Sequence, residues 1–202
     1  MNGSGGRAIS QVGDRSAFGR QWLSQAKASF GQGDVFSAYF SGYIALVCSA
    51  TQLMADSSKS GRITKENNDE AWEQKSIEEA LIMRAQQLAA FVDSEAGRKI
   101  IDKLRLRAIP GDNDSRIIST VGDPHFRETV DRLNGCWSPL SSSSWTDSTR
   151  TAHAKACANL LRRVRNRLFH GEKLNDPSGS DAELLDGLSP LLFEIVEIVL
   201  AH

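Results

Sequence analysis

Cysteine is scarce in this chain, and the three present, Cys48, Cys136 and Cys157, form no C-x-x-C pair. An odd count without that spacing fits neither a disulfide framework nor a standard zinc site, so reduced thiols in a cytoplasmic protein are expected. Net charge is lacking too: 24 Lys and Arg stand against 25 Asp and Glu, so bulk composition singles out no class of partner. The opening residues, MNGSGGRAISQVGDRS, lack the apolar core of a signal peptide and read as a disordered lead over residues 1–15. No stretch alternates strictly between apolar and polar residues within turn signals, which argues against a sheet. Long apolar runs are nearly absent. The strongest, Val35 to Ala55, has no charged residue and is almost long enough to span a bilayer. Ser37, Ser41, Gly42, Ser49, Thr51 and Gln52 interrupt it, and no Lys or Arg cluster close to either end would fix its orientation. A buried core helix is therefore expected there, and no membrane.

What is present is helical periodicity. Phe18, Trp22, Ala26 and Phe30, spaced by four, predict a first helix over about Ser16 to Phe30. Gly31 and Gly33 break it, and Asp34 is placed to cap a second helix over about 35–56. A polar segment separates this from a long third helix near Asp69 to Ser94, carried by Ile77, Leu81, Ala85, Leu88 and Val92. Residues Gly97 to Ala108 predict a short basic helix, PGDNDS a turn, and Pro124 to Leu133 a further short helix. The segment GCWSPLSSSSWTDS reads as a loop pinned by Trp137 and Trp145. A penultimate helix is predicted from about Ser148 to His170. Ser189 followed by Pro190 predicts the start of the last helix, with Leu192, Ile195, Val196, Val199 and Leu200 on its buried face. Length and pattern together predict one all-α domain.

The near-neutral total hides a local asymmetry. Between residues 150 and 173 stand Arg150, Lys155, Arg162, Arg163, Arg165, Arg167 and Lys173 against the single acid Glu172. The tail that follows carries Asp176, Asp181, Glu183, Asp186, Glu194 and Glu197 with no Lys or Arg. On a helix turning about 100° per residue, Ala154, Cys157, Leu161, Val164 and Leu168 form the core stripe. Asn166 and His170 fall roughly opposite it, with Arg162, Arg163 and Lys173 beside them. Arg165 lies about 140° around from His170 and flanks the core. The two meet only if the guanidinium curls round, or if two subunits each supply part of one cleft across a two-fold axis.

In VRNRLFHGEK, Arg165-Asn166 with His170 following resembles the R-x4-6-H signature of HEPN domains (higher eukaryotes and prokaryotes nucleotide-binding), in which a polar residue commonly follows the arginine. The context RNRLFHG is similar to helical HEPN proteins of bacterial defence and toxin systems. The order of elements agrees: an upstream aromatic-rich helix, YFSGYIALVCSA, a basic helix ended by Gly171, then one last apolar helix. Arg163 also satisfies the spacing, but apolar Val164 follows it, so Arg165 is the better match. The similarity covers roughly residues 16–56 and 148–202. It implies a HEPN-like helical bundle over 16–202 with an inserted, partly helical segment over about 57–147.

The resemblance further implies a metal-independent endoribonuclease without cofactor, acting as a homodimer on RNA by attack of the ribose 2′-hydroxyl on the adjacent phosphate. A histidine titrating near neutrality can take or give the protons that this reaction moves, which assigns His170 that role. Arg165 would bind phosphate oxygens and stabilise the added negative charge. Asn166 would orient the imidazole or bond the phosphate. Arg162, Arg163, Arg167 and Lys173 would attract RNA. The alternative implied by the same family is a non-catalytic nucleotide- or RNA-binding or assembly subunit of a defence or toxin–antitoxin system, with an antitoxin or defence complex as partner. A plain helical interaction protein with solvated Arg and His is the third reading. For the remaining candidates packing is expected: His153 beside the core stripe, Cys157 on it, and Trp22, Trp72, Tyr39 and Tyr43 in the core before any base-stacking role. Arg98, Lys99, Lys103, Arg105 and Arg107 are expected to form a solvated face.

Overall fold

A computed structural model describes residues 15–57, 69–108, 145–169 and 180–201. Seven helices and no strand occur among them: α1 (Arg15–Gly31), α2 (Val35–Asp56), α3 (Asp69–Met83), α4 (Ala85–Asp93), α5 (Glu95–Ala108), α6 (Asp147–Phe169) and α7 (Ser180–Leu200). The chain is all-α, as its periodicity predicts. The first corner is built by Gly33, whose φ of 81° is in the left-handed region open to glycine. The capping role read for Asp34 is realised: its Oδ1 accepts from the Ser37 amide at 3.0 Å, satisfying one of the orphan donors of α2.

This corner folds α1 back along α2. The residues of α1 that face inward are Ser16, Gly19, Leu23 and Ala26, while Phe18 is 55% exposed. Of the four residues spaced by four, Ala26 is buried and Trp22 and Phe30 pack against the edge of the core, so only Phe18 departs from the buried side. Small residues win the interface because the two backbones approach closely where Gly19 meets Ala45 and Ser49.

α2 is the central element, packed against α1, α3 and α7. It is the one described helix long and apolar enough to cross a membrane, and 67% of its most apolar window is buried inside the bundle. Its smallest contact is Gly42, where an added Cβ would lie 3.0 Å from Leu192 and 3.1 Å from Phe193 of α7.

The single third helix expected over Asp69 to Ser94 is two helices. At Arg84 (φ −104°, ψ 14°) the chain bends, its amide shared between the carbonyls of Ala80 and Leu81 at 3.2 Å each. The bend lets α3 pack on α2 and α6 while α4 packs on α5 and α6. One distorted turn leaves the apolar spacing intact, which is why the sequence pattern runs straight through it. The next corner is made by Ser94, whose Oγ donates to the Phe91 carbonyl at 2.6 Å and accepts from the Gly97 amide at 3.0 Å. That cap starts α5 at Glu95, slightly ahead of the predicted Gly97.

The last helix begins at Ser180, well before the predicted Ser189–Pro190 start, and Pro190 is inside it. An interior proline costs about 3 kcal/mol. Against that, the turns before it bury Leu184, Leu185 and Leu188, each contributing about 1.5–3 kcal/mol. Burial outweighs the break, and the helix continues. Residues 69–108, within the segment that the HEPN resemblance does not cover, supply Ile77, Leu81, Leu88, Ile101 and Leu104 to the same apolar cluster as the flanking helices. The predicted helix over Pro124 to Leu133, the PGDNDS turn and Trp137 lie outside the described residues, as does the lead before residue 15.

Candidate functional site

The core stripe read on α6 is observed: Ala154, Cys157, Leu161 and Val164 are buried and Leu168 is half-buried. Burial of that stripe fixes the rotation of α6 and turns Arg162, Arg165 and Asn166 toward the corner where α2, α3 and α6 meet. One turn further in, Tyr39 is fully buried and donates its hydroxyl to the Leu161 carbonyl at 2.8 Å. Its pKa is pushed well up by burial, with the neighbouring Tyr43 adding to the effect.

The corner itself is a polar cluster. Arg165 Nη1 donates to Asn166 Oδ1 at 2.8 Å, and its Nη2 is 3.5 Å from Glu73 Oε2. The other carboxylate oxygen of Glu73 accepts from the Tyr43 hydroxyl at 3.0 Å. The Arg165 guanidinium carbon stands 5.8 Å from the centre of the Tyr43 ring, within cation–π range. The side chains of Arg165 and Glu73 keep 24% and 21% of their exposure, so water reaches the pair. Burial raises the Tyr43 pKa, and the Glu73 carboxylate raises it further, while Arg165 and Arg162 pull the other way. Arg162 Nη2 donates to Asn159 Oδ1 at 3.4 Å.

Of the residues proposed from sequence, Arg165 and Asn166 are brought together, and Arg162 and Arg163 are half-buried on the same helix. His170 and Lys173 lie outside the described residues, as does the side chain of Arg167. Sequence reasoning missed Glu73 altogether; Tyr43 is in the core as expected, and its hydroxyl bond to Glu73 was not foreseen. Nothing local signals Glu73: its partner Arg165 is 92 residues away in sequence. The basic stretch is also less bare than its composition implies. α3 lays acids along α6, pairing Glu78 with Lys155 at 3.5 Å as well as Glu73 with Arg165, and Asp147 takes Arg150 at 3.1 Å.

A second group of chemistry-bearing residues is closed to solvent. His153 is 1% exposed, its Nε2 lies 3.4 Å from the Cys157 sulfur, and its ring is 5.3 Å from that of Trp145. Trp145 in turn donates Nε1–H to Asp93 at 3.0 Å. Burial lowers the His153 pKa to about 4, so the imidazole is neutral near pH 7. Packing, the expectation for both His153 and Cys157, is what is found. Among the described residues no group of three or more His, Cys, Asp or Glu is gathered as a metal site requires.

Comparison with protein-family models, with curated proteins and with solved structures returns no match to this chain.

Proposed function

We propose that this protein is a HEPN-type endoribonuclease that cuts RNA without a metal ion, by 2′-hydroxyl attack in a site completed by a second copy of the chain. The observation that carries the reading is the Arg165–Asn166 pair: a guanidinium bonded to the adjacent amide at 2.8 Å, backed by an aromatic ring and still partly open to water. A planar charged fork held in this way suits a phosphodiester and the extra charge of its transition state. His170 supplies the proton transfers, one copy acting as base and the other as acid. Arg163, Arg167 and Lys173 extend the attraction for RNA.

His170→Ala is expected to abolish cleavage of RNA while leaving helix content and dimerisation unchanged. The products should carry a 5′-hydroxyl, and cleavage should survive a chelator. Retained cleavage in the variant, products with a 5′-phosphate, or a monomer at high concentration would each overturn the reading. A second reading, the non-catalytic RNA- or nucleotide-binding subunit, is favoured by one specific contact, since Glu73 already occupies part of the Arg165 fork. It predicts RNA binding through the same helix with no turnover at any pH.

A further inference from the structure

Two features of the α2–α3–α6 corner sit uneasily with a purely structural ion pair. The first is distance. Arg165 holds Asn166 at 2.8 Å but Glu73 only at 3.5 Å, longer than the roughly 2.7–2.9 Å of a well-made charge-assisted hydrogen bond. The carboxylate is instead anchored from its far side by the Tyr43 hydroxyl at 3.0 Å. The second is Arg162, one turn before Asn166 on the same face of α6. It has no carboxylate within 4 Å among the described residues, its bond to Asn159 is a long 3.4 Å, and its Nε is buried with no hydrogen-bond partner among them. A loosely held carboxylate and a guanidinium with no described carboxylate within 4 Å thus share the corner around the Tyr43 hydroxyl, on which Glu73, Arg165 and Arg162 all act.

We infer that Arg162 and Arg165 form a two-guanidinium site for a phosphate group, and that Glu73, leashed by Tyr43, is its displaceable internal counter-ion. Without ligand, Glu73 limits the repulsion between the two cations. An arriving phosphate brings more charge and three or more acceptor oxygens, takes both forks, and leaves Glu73 on the Tyr43 hydroxyl. Glu73 therefore weakens anion binding, and excludes small monovalent anions in favour of phosphate. The identification of the natural ligand as an RNA backbone phosphate rests on the ribonuclease reading, but the site and its counter-ion do not.

The test measures binding alone, by calorimetry at low ionic strength, with inorganic pyrophosphate in one arm and a short oligodeoxythymidylate in the other. The oligodeoxythymidylate has no 2′-hydroxyl and cannot be cut by the proposed route, so failure here is separable from failure of the nuclease assignment. Glu73→Gln keeps the side-chain shape and removes the charge, and should tighten binding about tenfold, equivalent to about 1.4 kcal/mol. Arg162→Gln and Arg165→Gln should each weaken binding by the wild-type protein about tenfold or more, whereas Lys99→Gln, which removes one exposed charge on α5, should not. Tightening in both arms supports a nucleic acid phosphate, and tightening for pyrophosphate alone supports a free phosphate ligand. Unchanged or weaker binding by a folded Glu73→Gln protein overturns the inference. Should that variant not fold, equal losses for Arg162→Gln, Arg165→Gln and Lys99→Gln overturn it instead, because binding would then follow overall charge.

Discussion

His153 shows how one residue carries an environmental dependence into the whole protein. Its folded pKa is about 4 against an ordinary 6.5. The unfolded chain therefore takes up a proton near pH 6.5 that the folded chain refuses until about pH 4. Stability contributed by the neutral imidazole is full above pH 6.5 and is lost progressively as pH falls through that window. The shift corresponds to about 3 kcal/mol at about 1.4 kcal/mol per unit. Urea melts at several pH values between 7 and 4 should show this loss, and His153→Gln should show a shallower slope; equal slopes would assign the acid sensitivity to other groups. The buried position of His153 was legible in the sequence, because it adjoins an apolar stripe of regular period. Its contact with Trp145 was not, since the two meet across the start of α6. At the same scale Glu73 was illegible and Arg165 was half legible: a wheel places Arg165 beside the core, but no wheel says what stands opposite.

Among the elements, the helices whose ends are set by local chemistry were read closely. Asp34 and Gly33 define the start of α2, and the start of α6 falls within a residue of expectation. Errors fell where tertiary packing overrides local preference. A proline that signals a start is overridden by leucines buried on both sides of it, and an unbroken apolar period conceals the bend at Arg84. Phe18 of α1, exposed while Trp22 and Phe30 pack on the core, misleads for a related reason. Bulk marks a core in isolation, but two helices that touch backbone to backbone select glycine and serine. Gly42 is a second instance, facing Leu192, which is fully buried. Gly42→Val adds an isopropyl group there and should destabilise the protein by at least about 2 kcal/mol, seen as a lower urea midpoint at unchanged slope. A neutral effect would mean that α2 and α7 slide apart more readily than their packing implies.

For the molecule as a whole, the central fact is that residues 69–108 share a core with the helices on either side of them. The resemblance to HEPN domains treats this region as an addition, yet Glu73, which holds Arg165, comes from it. A segment that merely decorated a bundle could melt by itself. One that completes the core cannot. Far-UV circular dichroism and tryptophan fluorescence should therefore follow one coincident unfolding transition, with Trp22 on α1, Trp72 on α3 and Trp145 beside α6 reporting together; separate transitions would contradict a shared core. The all-α class was fully legible in the sequence, because period and composition decide it. Charge balance was legible only as a total. The surplus of cations on α6 and the acids of α3 are far apart along the chain, and only folding sets them face to face.

The hydroxyl of Tyr39 reaches the Leu161 carbonyl, which is also the acceptor that helix geometry assigns to the amide of Arg165. A bond from α2 thus fastens the very turn from which the guanidinium departs. α6 cannot screw about its own axis without tearing that bond from a dry interior, so the azimuth of Arg165 is locked from below. Whatever the corner grips must adapt to the arginine, because the arginine's root has nowhere to turn.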